Sequence, residues 1–198
     1  MEKGQNSNHP RKGSSINIEP IRKKKTIADL KALLADKPLD LALFVVGINT
    51  NLRASDLLSI KVDMVKDLKA GDSLELKEKK TKKKKMVTFN AAAISAINGL
   101  INSRDYDAGD YLFIGQRGSV LSVPALNLKI KRWAKRLNLK GNYGCHSLRK
   151  TWAFFQYRFF NVQLPVLMKA LNHSSQAITL RYIGIQEKDL NDVYLNEI

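Results

Sequence analysis

The stretch His146–Phe155, HSLRKTWAFF, sets a histidine and an arginine three residues apart and follows them with bulky apolar residues. On a helix, positions i and i+3 are neighbours, with about 5–6 Å between their Cβ atoms, so His146 and Arg149 can aim at one target. Leu148, Trp152, Phe155 and Phe159 recur at helical spacing and offer a core-facing side. The segment reads as a core helix that also presents polar groups. Taken alone, the polar edge of an ordinary buried helix is the simpler reading; the surrounding chain changes that.

Upstream, Ile48–Ile60, INTNLRASDLLSI, places Arg53 directly before a short helix, with Asp56 three residues on. A carboxylate there can accept hydrogen bonds from the guanidinium and fix its direction. Between the two segments lies Ser73–Asn90, SLELKEKKTKKKKMVTFN. Ser73–Lys77 alternates, Met86–Phe89 suits a strand, and the lysine-rich run between them reads as the turn of a hairpin. Downstream, Leu171–Ile183, LNHSSQAITLRYI, places His173 just before a Ser-Ser helix start and Tyr182 nine residues later.

The remaining segments supply the body. Thr26–Lys37 is an amphipathic helix with a Thr26 cap and apolar Ile27, Leu30, Leu33 and Leu34. Pro38 opens a nearly all-apolar core helix. Ala91–Arg104 has helical periodicity, and Val123–Leu139 is a basic amphipathic helix with Leu126, Ile130, Trp133 and Leu137 on one side. Gln186–Ile198 suits a terminal helix whose Leu190, Val193, Tyr194 and Ile198 form an apolar stripe, open to packing on its own domain or on a neighbouring subunit. Residues 1–20 are polar and read as a disordered tail or linker remnant, and residues 21–198 as one domain. The expected class is α+β, mostly helical, with one small antiparallel sheet.

Composition narrows the partners. The 198 residues carry a formal net charge of +16. Such an excess favours a polyanion, because Lys and Arg displace the counterions condensed on nucleic acid. No apolar run is long enough to span a bilayer, and the N-terminus lacks the apolar stretch of a signal peptide, so a cytoplasmic location is expected. Cys145 is the single cysteine, which excludes an intramolecular disulfide and a cysteine-based metal cluster. It adjoins His146, but adjacent helical residues do not face each other, so it reads as a small filler rather than a nucleophile. The three histidines are scattered, no carboxylate cluster has metal-ligand spacing, and there is no P-loop, so neither metal, cofactor nor ATP is expected.

NLRASDLLSI, HSLRKTWA and LNHSSQAITLRY, in this order and with the lysine hairpin between the first two, resemble the signature boxes of the tyrosine recombinases, the phage integrase family. The nine-residue step from His173 to Tyr182 also matches. The resemblance covers roughly residues 22 to 190, the catalytic domain of that family. It implies site-specific DNA recombination of the integrase type, found in phages and mobile elements. One strand is cut by a tyrosine hydroxyl to give a 3′-phosphotyrosyl bond, and a 5′-hydroxyl from another strand then attacks that bond. By this resemblance Tyr182 is the nucleophile. Arg53 and Arg149 grip the non-bridging oxygens, His173 donates a further hydrogen bond, and His146 assists proton movement at the tyrosine. A hairpin lysine protonates the leaving oxygen; Lys80, followed by Thr81, fits best, with Lys79 and Lys82 as rivals. Lys79, Lys82 and Lys83 on the turn, and Lys129, Lys131, Arg132, Lys135 and Arg136 on the basic helix, are expected to contact DNA.

The implied partner is double-stranded DNA at the nucleoid, with a monomer when free and a homo-tetramer on DNA. No membrane or small-molecule substrate is implied. Lys150 stands where many members have a second histidine, and Asn51 and Asn172 where glycine is common; Asn tolerates the left-handed region both turns need. The helical DNA-clamping domain that most members carry ahead of the catalytic part is not expected within the short N-terminal stretch. Two alternatives remain open on sequence: a DNA-binding relic of the same fold, which would bind DNA without a covalent adduct, and a type IB topoisomerase-like enzyme, which would relax DNA without strand exchange.

Overall fold

The computed structural model describes residues 17–80, 82–115 and 118–185, together with 194, 195 and 197. The first sixteen residues of the expected tail, Thr81 of the Lys80–Thr81 pair, and Leu190, Val193 and Ile198 of the terminal stripe lie outside the described residues.

Eight α-helices and one hairpin are formed among these residues: α1 (Lys24–Leu33), α2 (Pro38–Asn49), α3 (Ala54–Leu57), β1 (Ser73–Lys77), β2 (Lys84–Thr88), α4 (Ala91–Ile101), α5 (Val123–Arg136), α6 (Cys145–Arg158), α7 (Leu164–Leu171) and α8 (Gln176–Ile183). The class is α+β and mostly helical, as expected. Local chemistry sets several boundaries. Pro38 opens α2, where its missing N–H costs nothing. Asn90 caps α4 by accepting from the Ala93 N–H at 3.0 Å, and Ser122 caps α5 by accepting from the Ala125 N–H at 3.2 Å. The expected Thr26 cap is not used. α1 starts three residues earlier, with Lys23 at the N-cap, because the lysines ahead of Thr26 are good helix formers. β2 likewise starts at Lys84 rather than Met86; the antiparallel register pairs Leu76 with Lys85 and Lys77 with Lys84.

Two apolar clusters divide the molecule. In the larger, buried residues Ala42–Val46 of α2 pack with Ile94, Ile97 and Leu100 of α4, Leu126, Ile130 and Trp133 of α5, Leu148 of α6, and Leu76, Val87 and Phe89 of the hairpin. The smaller holds Ala153 of α6, Leu167 and Leu171 of α7, and Ile183 of α8, with Tyr182 packed against it. α6 belongs to both, so residues near its N-terminus sit at the seam. α6 approaches α2 closely because position 47 is glycine: a Cβ there would lie 2.5 Å from Leu148 Cδ1.

Ahead of α1 the chain forms an extended strap. The Glu19 N–H donates to the Asn142 carbonyl at 2.9 Å, and the N–H of buried Ile21 donates to Thr151 Oγ1 at 2.8 Å. Residues 17–20, expected to close the tail, are thus already anchored to the body. Arg22 then stacks over the Phe154 ring at 5.1 Å, and its Nη2 donates to the Gly184 carbonyl at 2.7 Å. Gly184 is the left-handed C-cap of α8, so a cation sits at the negative end of the helix that carries Tyr182.

Candidate active site

Tyr182 lies in the last turn of α8. That helix starts where it does because Ser175 Oγ accepts from the Ile178 N–H at 3.3 Å. Asn172, in the left-handed region at φ 56°, ends α7 and turns the chain so that His173 faces α8. The His173 and Tyr182 rings meet edge to face, 5.0 Å between centroids. His173 Nδ1 lies 3.1 Å from Oγ1 of buried Thr179, which fixes the ring and leaves Nε2 for another partner. Burial raises the Tyr182 pKa, while the Arg149 and Arg53 charges act in the opposite direction. Both guanidiniums therefore bear on the tyrosine hydroxyl.

Arg149 is 4% exposed, and its Nη2 donates to the Leu171 carbonyl at 2.9 Å, tying α6 to the end of α7. His146, one turn earlier, stands at the solvent edge of α6. Partial desolvation, then the charges of Arg149, Lys150, Lys80 and Arg53, hold its pKa below the ordinary imidazole value. His173 is lowered in the same direction, by desolvation and then by Arg149 and Arg53. Both rings are biased toward the neutral form, which can accept a proton. Cys145 is a spectator here: burial pushes its thiol up to about 11, and Sγ lies 3.4 Å from the Val123 carbonyl.

Arg53 is the N-cap of α3. Its expected partner Asp56 is distant, with 4.0 Å from Nη1 to Oδ2. The close ion pair is to Glu78, Nη1 to Oε1 at 2.5 Å, and Glu78 is only 5% exposed. Asp56, 1% exposed, serves the hairpin instead: Oδ1 accepts from the Lys79 N–H at 2.9 Å. Glu78, together with Lys85, was not singled out by the sequence. The signal for both was present in the hairpin's period of two. Leu76 and Val87 are buried, so Glu78, just past the end of β1, and Lys85 in β2, each two positions away, face inward as well.

The other sequence-derived positions divide. Lys79, Lys80, Lys82 and Lys83 are exposed on the hairpin turn, and Lys82 takes a left-handed conformation at φ 60°. Of these, Lys80 is the one whose charge reaches His146. Lys131, Arg132, Lys135 and Arg136 point to solvent from α5. Lys129 does not: its Nζ is held by Asp40 Oδ1 at 2.7 Å, while Asp40 Oδ2 accepts from Trp133 Nε1 at 3.2 Å. Among the described residues no group of three or more His, Cys, Asp or Glu side chains is placed to hold a metal ion.

The arginine, histidine and tyrosine positions of the three boxes thus share one site, a pocket in which His146, His173 and Tyr182 all feel Arg53 and Arg149. Residues 24–189 match the phage integrase family. The chain belongs to that family. It is 33% identical over 180 residues to the probable integrase/recombinase YoeC of Bacillus subtilis, covering 89% of this chain and 95% of that protein. It is 31% identical over 160 residues to the tyrosine recombinase XerC of Caldanaerobacter subterraneus, covering 79% of this chain but 44% of that protein. The fold is shared with the XerA recombinase, at a TM-score of 0.74 and 20% identity, over 92% of this chain and 66% of that one. This integrase-family chain is thus a tyrosine recombinase. No helix among its described residues is long and apolar enough to cross a membrane.

Proposed function

We propose that this pocket cuts and rejoins DNA strands at specific sites through a 3′-phosphotyrosyl intermediate. Tyr182 Oη attacks the scissile phosphorus; the P–Oη bond forms and the P–O5′ bond breaks. Because burial raises the Tyr182 pKa, the hydroxyl needs a base as it attacks, and neutral His146 takes the proton. Arg53 and Arg149 hold the non-bridging oxygens with permanently charged, directed donors, and His173 adds a third. Lys80 protonates the leaving 5′-oxygen. Attack by a 5′-hydroxyl of another strand reverses these steps, so the energy of the diester is kept in the phosphotyrosyl bond. The observation that carries this reading is the seating of Tyr182 edge to face against His173, under the fields of both Arg149 and Arg53.

Each tyrosine cuts one strand, so exchange between two duplexes needs four. The assembly is accordingly a homo-tetramer on DNA, built from free monomers. The charge of +16 suits a duplex as partner, and exposed Lys131, Arg132, Lys135 and Arg136 suit its phosphates. Action on DNA places the chain at the nucleoid.

The test is covalent trapping. The protein is mixed with a pool of nicked duplexes randomised at the centre, and the products are separated under denaturing conditions. A protein–DNA adduct is expected for the wild type and absent for Tyr182→Phe. Tight DNA binding without an adduct on any duplex would overturn the reading.

A further inference from the structure

Lys85 is a cation of this pocket to which the family's boxes assign no role. It lies on the inward side of β2, paired with Leu76. Its neighbour Lys84 turns to solvent and meets Glu75 at 2.9 Å. Lys85 Nζ instead donates to the Asn51 carbonyl at 3.1 Å. Asn51, held in the left-handed region at φ 52°, stands two residues before Arg53, and its Nδ2 donates to the Ala170 carbonyl at 2.8 Å. The next carbonyl, Leu171, is the one that receives Arg149 Nη2 at 2.9 Å. These hydrogen bonds tie β2 to the segment before α3, and that segment and α6 to the end of α7, so Lys85, Arg53 and Arg149 stand on elements held together.

The charges facing Lys85 come from every side of that pocket. Arg149 and Arg53 oppose its ammonium, while Glu78 and Asp56 support it. Burial is the largest influence, and the pKa falls to about 8. Among the described residues its one hydrogen bond uses a single N–H of three. The ammonium is thus half-buried, opposed by two guanidiniums and supported by two buried carboxylates, and an anion brought to this site would favour all three cations.

We propose that Lys85 is a further catalytic residue: its ammonium passes from the Asn51 carbonyl to a non-bridging oxygen of the scissile phosphate and completes, with Arg53 and Arg149, a three-cation grip on the phosphorane. Lys85 keeps its proton throughout, which separates its role from that of Lys80. The proposal rests on the recombinase reading above.

The experiment uses two nicked duplexes of one sequence recovered by the trapping assay. One has the ordinary 5′-oxygen at the scissile bond and the other has sulfur there, which leaves without a proton. Single-turnover cleavage is measured for the wild type, Lys85→Met, Lys85→Arg and Lys80→Ala. Lys85→Met is expected to slow cleavage of both duplexes alike, by about a hundredfold, the loss typical when one preorganised donor to a developing oxyanion is removed. Lys85→Arg restores most of the rate, and sulfur rescues Lys80→Ala alone. Cleavage by Lys85→Met at the wild-type rate, or its rescue by sulfur, would overturn the proposal.

Should Lys85→Met not fold, Lys85→Arg decides. Its guanidinium does not titrate, so its rate should no longer fall as pH rises through 8; an unchanged fall refutes the grip. Absence of a wild-type adduct on both duplexes counts against the recombinase reading and not against Lys85 in particular.

Discussion

At the scale of single residues, the pocket separates its bases from its cations by environment. His146 and Lys85 are both lowered by desolvation and by the same arginines, yet the consequences at neutral pH differ. A lowered imidazole is neutral at pH 7 and becomes charged only as pH falls through its pKa, below the ordinary 6.5. A lysine lowered to about 8 is still mostly charged at pH 7 and loses its proton as pH rises past that value. We therefore expect a bell-shaped profile of kcat/KM, with an acid limb below 6.5 from His146 and an alkaline limb near 8 from Lys85. His146→Gln should abolish the acid limb and leave the alkaline one. A profile for that variant still falling in acid would show that another group is the base.

At the scale of elements, the site depends on how closely α6 lies on α2. The Cβ that Gly47→Ala would add falls 2.5 Å from Leu148 Cδ1 and 3.3 Å from Leu148 Cβ, so α6 must shift as well as its side chain. Overpacking of this kind costs about 1–3 kcal/mol. Gly47→Ala should lose that much in urea denaturation and also slow adduct formation, because Arg149 follows Leu148 on the displaced helix. Unchanged stability would mean that Leu148 alone absorbs the methyl group. Gly47 was not legible as special, since in sequence it is one small residue in an apolar run. The helices were legible, because Leu126, Ile130 and Trp133 repeat with the helical period and are buried. Arg53, His146, Arg149, His173 and Tyr182 were singled out through spaced motifs. Glu78 was not, because a glutamate in a run of lysines looks like surface until strand pairing turns it onto Arg53. The Thr26 cap failed for a similar reason: a side chain able to cap gives way when the residues before it also favour helix.

At the scale of the whole molecule, a charge of +16 does not mean sixteen free cations. Lys129 is spent on Asp40, which also anchors Trp133, whereas Lys131, Arg132, Lys135 and Arg136 are exposed. The two groups should separate in a salt titration of DNA binding. Replacing an exposed residue that meets a phosphate, as in Arg132→Gln or Lys135→Gln, should flatten the plot of log affinity against log salt by about 0.9 for each phosphate no longer neutralised. Lys129→Gln should leave the slope alone and instead cost about 1.5–3 kcal/mol of stability, the worth of a charged hydrogen bond. A reduced slope for Lys129→Gln would show that it leaves Asp40 for the duplex.

The bond from Arg22 to the Gly184 carbonyl joins positions 162 residues apart, one on the strap and one at the end of the tyrosine helix. Synthesis makes the strap early and α8 late. The bond can close only when Gly184 has been made and has found Arg22. The end of α8 is therefore a part of the fold that local contacts alone do not set, and its closure carries a long loop-closing entropy.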